Sequence, residues 1–423
     1  DLGGEGRGAR TEENVFDIRT PVSIAIGIRK GSISKECEAR YVQYPGTRTE
    51  KLQILETQGI EDIAWQTIGR RDRAPFVPRG NSEYHSWPAL TQLLPFTQTG
   101  CQTKRTWVVS PCRQSLETRW HELCSYSGTE QSGALRETGA RSIDKELSGL
   151  LSPVLLVPIS KLREGDLPED IKPYGYRSFD RQWVIADKRV VDAPKEFLWR
   201  STSDQQVFLT TLTAAKQGAG PVVTVSASVP DQNHFSNRST HVLPLWLDAD
   251  QRVSNTSNGL LEQLAARYET GVGPHDLLAY IYGIGGTPAF ADRFSEQLWE
   301  EAGPFRVPLT ANANLFHKIA DLGRELIWWH TWGERFTPTG AAELPSGSAT
   351  ELEPVAEYPN DFNYSDDTLH VGTGQFGPVA QEVWDFEVSG LQVVKSWLGY
   401  RMWDRKGRKS SPLDDIRPDA WTF

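Results

Sequence analysis

The chain has 423 residues, 38% hydrophobic and 24% charged, the make-up of a globular polypeptide long enough for two or three domains. A formal charge of −10 argues against indiscriminate nucleic-acid binding, which rests on basic surface, yet leaves room for a local cationic groove. No apolar run approaches the roughly 20 residues of a membrane span, and four cysteines in so long a chain make no disulfide framework, so a reducing cytoplasm is the expected setting.

The chain opens at Asp1, with its only methionine at Met402, and reads as a piece of a longer or processed protein. "VFDIRTPVSIAIGIRKG" (15–31) alternates and then fills with β-branched residues, which predicts a buried strand. "ECEARYVQY" (36–44) follows as its antiparallel partner, and "TRTEKLQILETQ" (47–58) as a short helix with Leu52, Ile54 and Leu55 on one stripe. Residues 1–58 are too few for a core of their own and read as the tail of a domain.

"GRRDRAPFVPRGN" (69–81) is a turn-rich loop, and "SWPALTQLLPF" (86–96) starts a short helix. A loop and strand (97–111) precede "CRQSLETRWHELCSYS" (112–127), where Leu116, Trp120, Leu123 and Cys124 fall at helical spacing. The polar stretch 129–142 predicts a mobile connector, and "SPVLLVPI" (152–159) a buried strand. Strands dominate from 150 to 250, and helices with apolar stripes from 257 to 336. A Pro-, Gly- and Ser-rich insertion (337–361) leads to a β-rich end and a helix near "VVKSWLGYRMW". The expected class is α+β, with mixed β-sheets and packed helices.

Catalytic motifs are scarce. The chain has no phosphate-binding G-x-x-x-x-G-K-[ST] loop, no H-E-x-x-H and no G-x-S-x-G. Cys101, Cys112, His121 and Cys124 match no familiar zinc spacing and read as core thiols, so no metal is assigned. Asp366–Asp367 and Asp414–Asp415 read as solvated loop charges.

Cation-rich loops stand out instead. Arg70, Arg71, Arg73 and Arg79 share one loop, and Lys104 and Arg105 precede Trp107. Arg177, Arg181, Lys188 and Arg189 lie among Tyr176, Phe179 and Trp183. "PDQNHFSNRST" (230–240) adds Asn233, His234, Asn237 and Arg238. Guanidinium forks match phosphate oxygens and guanine edges, and rings stack on bases. Solvated, self-paired charge is the plain alternative. The many tryptophans also admit a carbohydrate-binding or glycan-processing protein, and a coupling scaffold that reads nothing is a third possibility.

The ordered set "QTKRTWVV", "YRSFDRQWVIADKRVVD", "GPVVTVSASVPDQNHF", "LGRELIWWHTWGERF" and "GPVAQEVWDFEVSGLQVVKSWLGYRM" resembles the C-terminal specificity region of type ISP restriction–modification enzymes. "NVFDIRTPVSIAIGIRKG" resembles the last strands of an α/β adenine N6 methyltransferase fold. The resemblance implies three parts: a methyltransferase remnant (1–58), a target recognition domain (59–336), and a linker with a β/helix cap (337–423). It implies double-stranded DNA as partner, an N-terminal methyltransferase domain, and in some members a translocase and nuclease. S-adenosylmethionine is implied for the parent enzyme and no cofactor for this chain, which lacks the catalytic Asn/Asp-Pro-Pro-aromatic motif. Phe16 resembles the aromatic that stacks on a flipped adenine. The cationic loops are expected to converge on one DNA channel, with Trp183 in the core and Asp180 bracing an arginine.

Overall fold

The computed structural model describes residues 13–16, 24–28, 39–44, 46–68, 83–236, 240–300, 303–341, 343, 346–404, 411–418 and 420–421. The chain divides into two compact units, residues 1–85 and 86–423.

In the first unit, β1 (Ala39–Tyr41), α1 (Arg48–Thr57) and β2 (Gln66–Ile68) follow one another. A capping box starts α1: Thr47 Oγ1 accepts from the Glu50 amide, and the Glu50 carboxylate accepts from the Thr47 amide at 2.8 Å. No residue of α1 is fully buried: Leu52 and Leu55 of its apolar stripe are exposed and Ile54 is half-buried. β1 pairs antiparallel with β2, Ala39 opposite Ile68, and with none of the described residues of the 15–31 segment. Of that segment, residues 24–28 are not in a strand, and Ile24, Ile26 and Ile28 are 73–79% exposed. The expected buried strand is therefore not found at those residues: none of the described residues covers them.

The second unit begins with α2 (Leu90–Leu93), β3 (Gln98–Thr99), β4 (Val109–Ser110), α3 (Arg113–Ser125), α4 (Gly128–Leu135), β5 (Leu147–Ser148) and β6 (Leu155–Leu156). It continues through β7 (Ile171–Arg177), β8 (Asp180–Ile185), α5 (Glu196–Arg200), β9 (Phe208–Thr211), β10 (Thr224–Ser226) and β11 (His241–Pro244). The helical stretch comprises α6 (Leu260–Tyr268), α7 (Pro274–Gly285), α8 (Pro288–Arg293), α9 (Ser295–Glu300) and α10 (Ala313–His330). The end supplies β12 (Thr350–Glu353), β13 (Phe362–Ser365), β14 (Thr368–Val371), β15 (Gly374–Gly377), α11 (Gln381–Trp384), β16 (Glu387–Val388), β17 (Leu391–Gln392) and α12 (Val393–Gly399). The sheets run β4-β8-β7, β10-β9-β11-β3 and β12-β15-β14-β13, all antiparallel, so the class is α+β.

The stripe on α3 packs Leu116, Trp120, Leu123 and Cys124 into the same core as Tyr174 and Val184 of β7 and β8. Each large apolar side chain so buried stabilises by about 1.5–3 kcal/mol. Trp183 packs against this core partly buried, and the Arg113 guanidinium lies 5.5 Å from its ring centre. α7 and α10 pack so closely that a Cβ on Gly323 would meet the Ala279 carbonyl oxygen at 1.8 Å. Glycine at that position is what lets the two backbones touch.

Two expectations change here. The stretch 129–142 is no simple connector, because 128–135 forms α4, with Gln131, Ala134 and Leu135 buried. The 152–159 run is not a buried strand, because Val154, Leu155 and Val157 on and beside β6 are exposed. Residues 337–423 are tied into the unit by buried contacts, among them the ion pair of Arg401 with Asp180 and the Arg119 bonds to the Ile416 carbonyl.

Candidate nucleic-acid interface

The best-defined polar corner is built on the turn between β7 and β8. Phe179 occupies the left-handed region, φ 59°, and reverses the chain there. Two glycines make room here: a Cβ on Gly175 of β7 would meet Ser226 Oγ at 2.5 Å, and one on Gly100 would meet the Asp231 carbonyl oxygen at 2.4 Å. The Asp231 amide donates to the Gly175 carbonyl at 2.8 Å, and the Cys101 amide to the Pro230 carbonyl at 2.9 Å. The strand β7, the segment around Pro230 and Asp231, and Cys101 thus run side by side in parallel.

Asp231 is the hub of this corner. Its carboxylate accepts from the Tyr174 hydroxyl, from Arg177 Nη1 and from the Asn233 amide, each at 2.8 Å. Burial alone would lower the Arg177 pKa, but the Asp231 charge and the Tyr176 and Tyr400 hydroxyls outweigh it and hold the cation firmly. The guanidinium is stacked on Tyr176 at 4.1 Å and near Tyr400 at 5.1 Å. The Ser178 amide donates to the His234 carbonyl at 2.7 Å, which ties the turn to the 231–236 loop. His234 is buried with Nδ1 3.0 Å from Thr210 Oγ1; desolvation, helped by the nearby Arg177 charge, lowers its pKa to about 3.

Asp180 braces an arginine, as expected, and the arginine is Arg401, at 2.7 Å. Arg401 in turn lies 3.8 Å from the Trp397 ring centre. At the rim, Arg181 pairs with Glu334 and lies 5.8 Å from the Trp332 ring centre. Trp329 and Trp332 are both exposed, and Phe179 packs edge-on to His330. Gln232 and Asn233 are half-buried beside the hub.

The remaining candidates scatter. Arg105 is buried, donating to Asp192 at 2.5 Å and to the Leu135 and Val190 carbonyls. Arg189 is buried against Asp187 at 2.6 Å and over the Trp120 ring at 5.0 Å. Lys188 is mostly buried and pairs with Glu196 at 2.5 Å. Lys104 is exposed at φ 61°, and its carbonyl accepts from Arg136. Phe16 is exposed in the first unit. Arg70, Arg71, Arg73, Arg79, Asn237 and Arg238 lie outside the described residues.

Arg105, Arg177 and Arg189 are thus buried in ion pairs and His234 is buried, so these four do not form an open cationic channel in this structure. A guanidinium can cross-link loops internally when a carboxylate neutralises it, and Asp192, Asp231 and Asp187 do so here. Sequence reasoning missed Asp231, Arg401, Trp332 and Glu334. The "WWHTWGER" run around α10's end carried a signal, since tryptophans beside charge at a helix end are unusual core material. Among the described residues no group of His, Cys, Asp and Glu is placed to hold a metal ion. Cys101 and Cys124 lie in the core instead.

Comparison with known proteins accords with this geometry. Residues 92–423 match the family model described as the Type ISP C-terminal specificity domain. The fold is similar to a nuclease-deletion mutant of the Type ISP restriction-modification enzyme LlaGI in complex with a DNA substrate mimic. That likeness has 14% identity and a TM-score of 0.54, covering 92% of this chain and 31% of that one. It is similar to DrdV in a DNA complex, at 16% identity and TM-score 0.55, covering 90% and 40%. It is also similar to the ATP-dependent Type ISP restriction-modification enzyme LlaBIII bound to DNA, at 14% identity and TM-score 0.59, covering 99% and 28%. The chain thus spans well under half the length of each of these structures. No curated protein matches it. The family match covers most of the chain, and the chain belongs to the Type ISP C-terminal specificity domain family.

Proposed function

We propose that this chain reads a specific sequence in duplex DNA on behalf of an adenine N6 methyltransferase, in a restriction–modification or phage-defence system of the cytoplasm. The observation that carries the reading is the specificity-domain match over 92–423. DNA in the similar structures of LlaGI, DrdV and LlaBIII supports it. Side chains available for contact are Arg181, Trp332, Gln232, Asn233 and Lys104, which the corner and its neighbouring loop leave at the surface. Lys188 would contribute only by leaving Glu196. The braced Asp231 hub supplies what base reading needs, a loop held in one geometry before the duplex arrives.

Residues 1–58 are read as the end of the methyltransferase domain, 59–336 as the recognition domain and 337–423 as its cap. The uncovered Ile24, Ile26 and Ile28 support the first assignment, since alternate apolar positions call for a covering layer. S-adenosylmethionine would serve the longer enzyme. The described residues of this chain form no glycine-rich strand-to-helix cradle that suits it, and no step is assigned to it here. Translocase and nuclease domains of the same polypeptide are further expected partners.

Selection from a randomised duplex pool tests the reading. A DNA reader enriches one motif, with affinity falling steeply as salt rises. A pool that stays random after repeated rounds refutes sequence recognition, the outcome a coupling scaffold or a sugar-binding protein would give.

A further inference from the structure

Among the described residues, four arginines lie around the β7–β8 corner, and three are committed. Arg177 and Arg401 are buried against Asp231 and Asp180. Arg335 donates to the carbonyls of Gln206, Ser203 and Ala227. Arg181 differs: its side chain is 45% exposed, and its carboxylate partner Glu334, itself 33% exposed, comes from the turn after α10. An exposed pair between separate elements holds weakly, so a competing anion can displace one member. Beneath the guanidinium lies Trp332, 45% exposed, at φ 59°. A bulky residue in the left-handed region is strained, and such strain gathers at ligand clamps.

We infer that Glu334 gates Arg181, holding the guanidinium over Trp332 in the free protein and yielding it to a backbone phosphate when a duplex seats. This rests on the DNA reading above and adds an internal competitor for Arg181 to it. Freeing Arg181 from Glu334 costs the same at every sequence, so the pair lowers affinity for every duplex through the cation it withholds.

The test uses the full chain and a mixed-sequence duplex in a salt titration. Glu334→Gln is expected to tighten binding about fivefold at low salt, the order of one freed surface charge. Its plot of log affinity against log salt should steepen by about one, for one added phosphate contact. In an Arg181→Ala background the same substitution should change affinity by less than about twofold, since nothing is left to release. Glu334→Ala should behave as Glu334→Gln, because charge and not shape is at issue. Unchanged binding by Glu334→Gln overturns the gate, and so does an equal gain with and without Arg181, which would make Glu334 a diffuse repulsive charge. A parent chain that binds no duplex at any salt defeats the DNA reading itself, and the gate with it.

Discussion

Replacing Asp231 with Asn probes the hub on which the corner depends. The carboxylate accepts three hydrogen bonds of 2.8 Å and faces a guanidinium that is only 7% exposed. Removing one partner of a buried ion pair costs roughly 3–5 kcal/mol, because the other charge stays desolvated and unmatched. Asn keeps an acceptor oxygen for one donor, and the Tyr176 and Tyr400 rings still attract the cation, so the lower end, about 3 kcal/mol, is expected. With a urea slope of roughly 3 kcal/mol per molar, the midpoint followed by tryptophan fluorescence falls by about 1 M. The apolar double variant Arg177→Met/Asp231→Leu should recover most of that loss, since neither charge then remains buried. Duplex affinity should fall in Asp231→Asn as the Asn233 amide loses its anchor. An unchanged midpoint, or a double variant as weak as the two single losses summed, would show that the pair does not brace the corner.

Acid should destabilise the fold through buried histidines. Burial lowers His234 to about 3 and His330 to about 4, so below the unfolded value of roughly 6.5 the unfolded chain binds more protons. Their contribution is complete above that value and is lost as pH falls toward the folded values. The melting temperature should drop as the pH goes from about 7 to 4.5, and His234→Gln should flatten the decline. Gly323→Ala should cost about 1–3 kcal/mol or more by forcing α7 and α10 apart, read as a lower urea midpoint; parent-like stability would contradict the close contact. Burial pushes the Cys101 and Cys124 thiols up to about 12 and about 11. Both should resist alkylation at neutral pH while half-buried Cys112 reacts, and peptide mapping that found equal labelling would count against it. If the proposed methyltransferase reading of the longer protein holds, Phe16→Ala there should slow methylation more than it weakens duplex binding; equal losses would assign Phe16 a folding role.

Local pattern was a sound guide where structure is local. Leu116, Trp120, Leu123 and Cys124 predict α3 because helical spacing places them on one face whatever lies opposite. Thr47 and Glu50 close the start of α1 through bonds spanning three residues. The apolar 152–159 run was misleading, because hydrophobicity states a preference for burial and not whether a neighbour exists to provide it.

The family of the domain and its α+β class were thus written in the amino-acid order. Which arginines face solvent was not. Arg177 meets a carboxylate 54 positions away, and Arg401 meets one 221 positions away. Those meetings are set by sheet register and, for Arg177, by Gly100, which leaves room for the Asp231 backbone. A side chain's charge is encoded where it stands, but its partner and its exposure belong to the packed whole, so only the tertiary structure separated the buried braces from Arg181, the cation left at the rim.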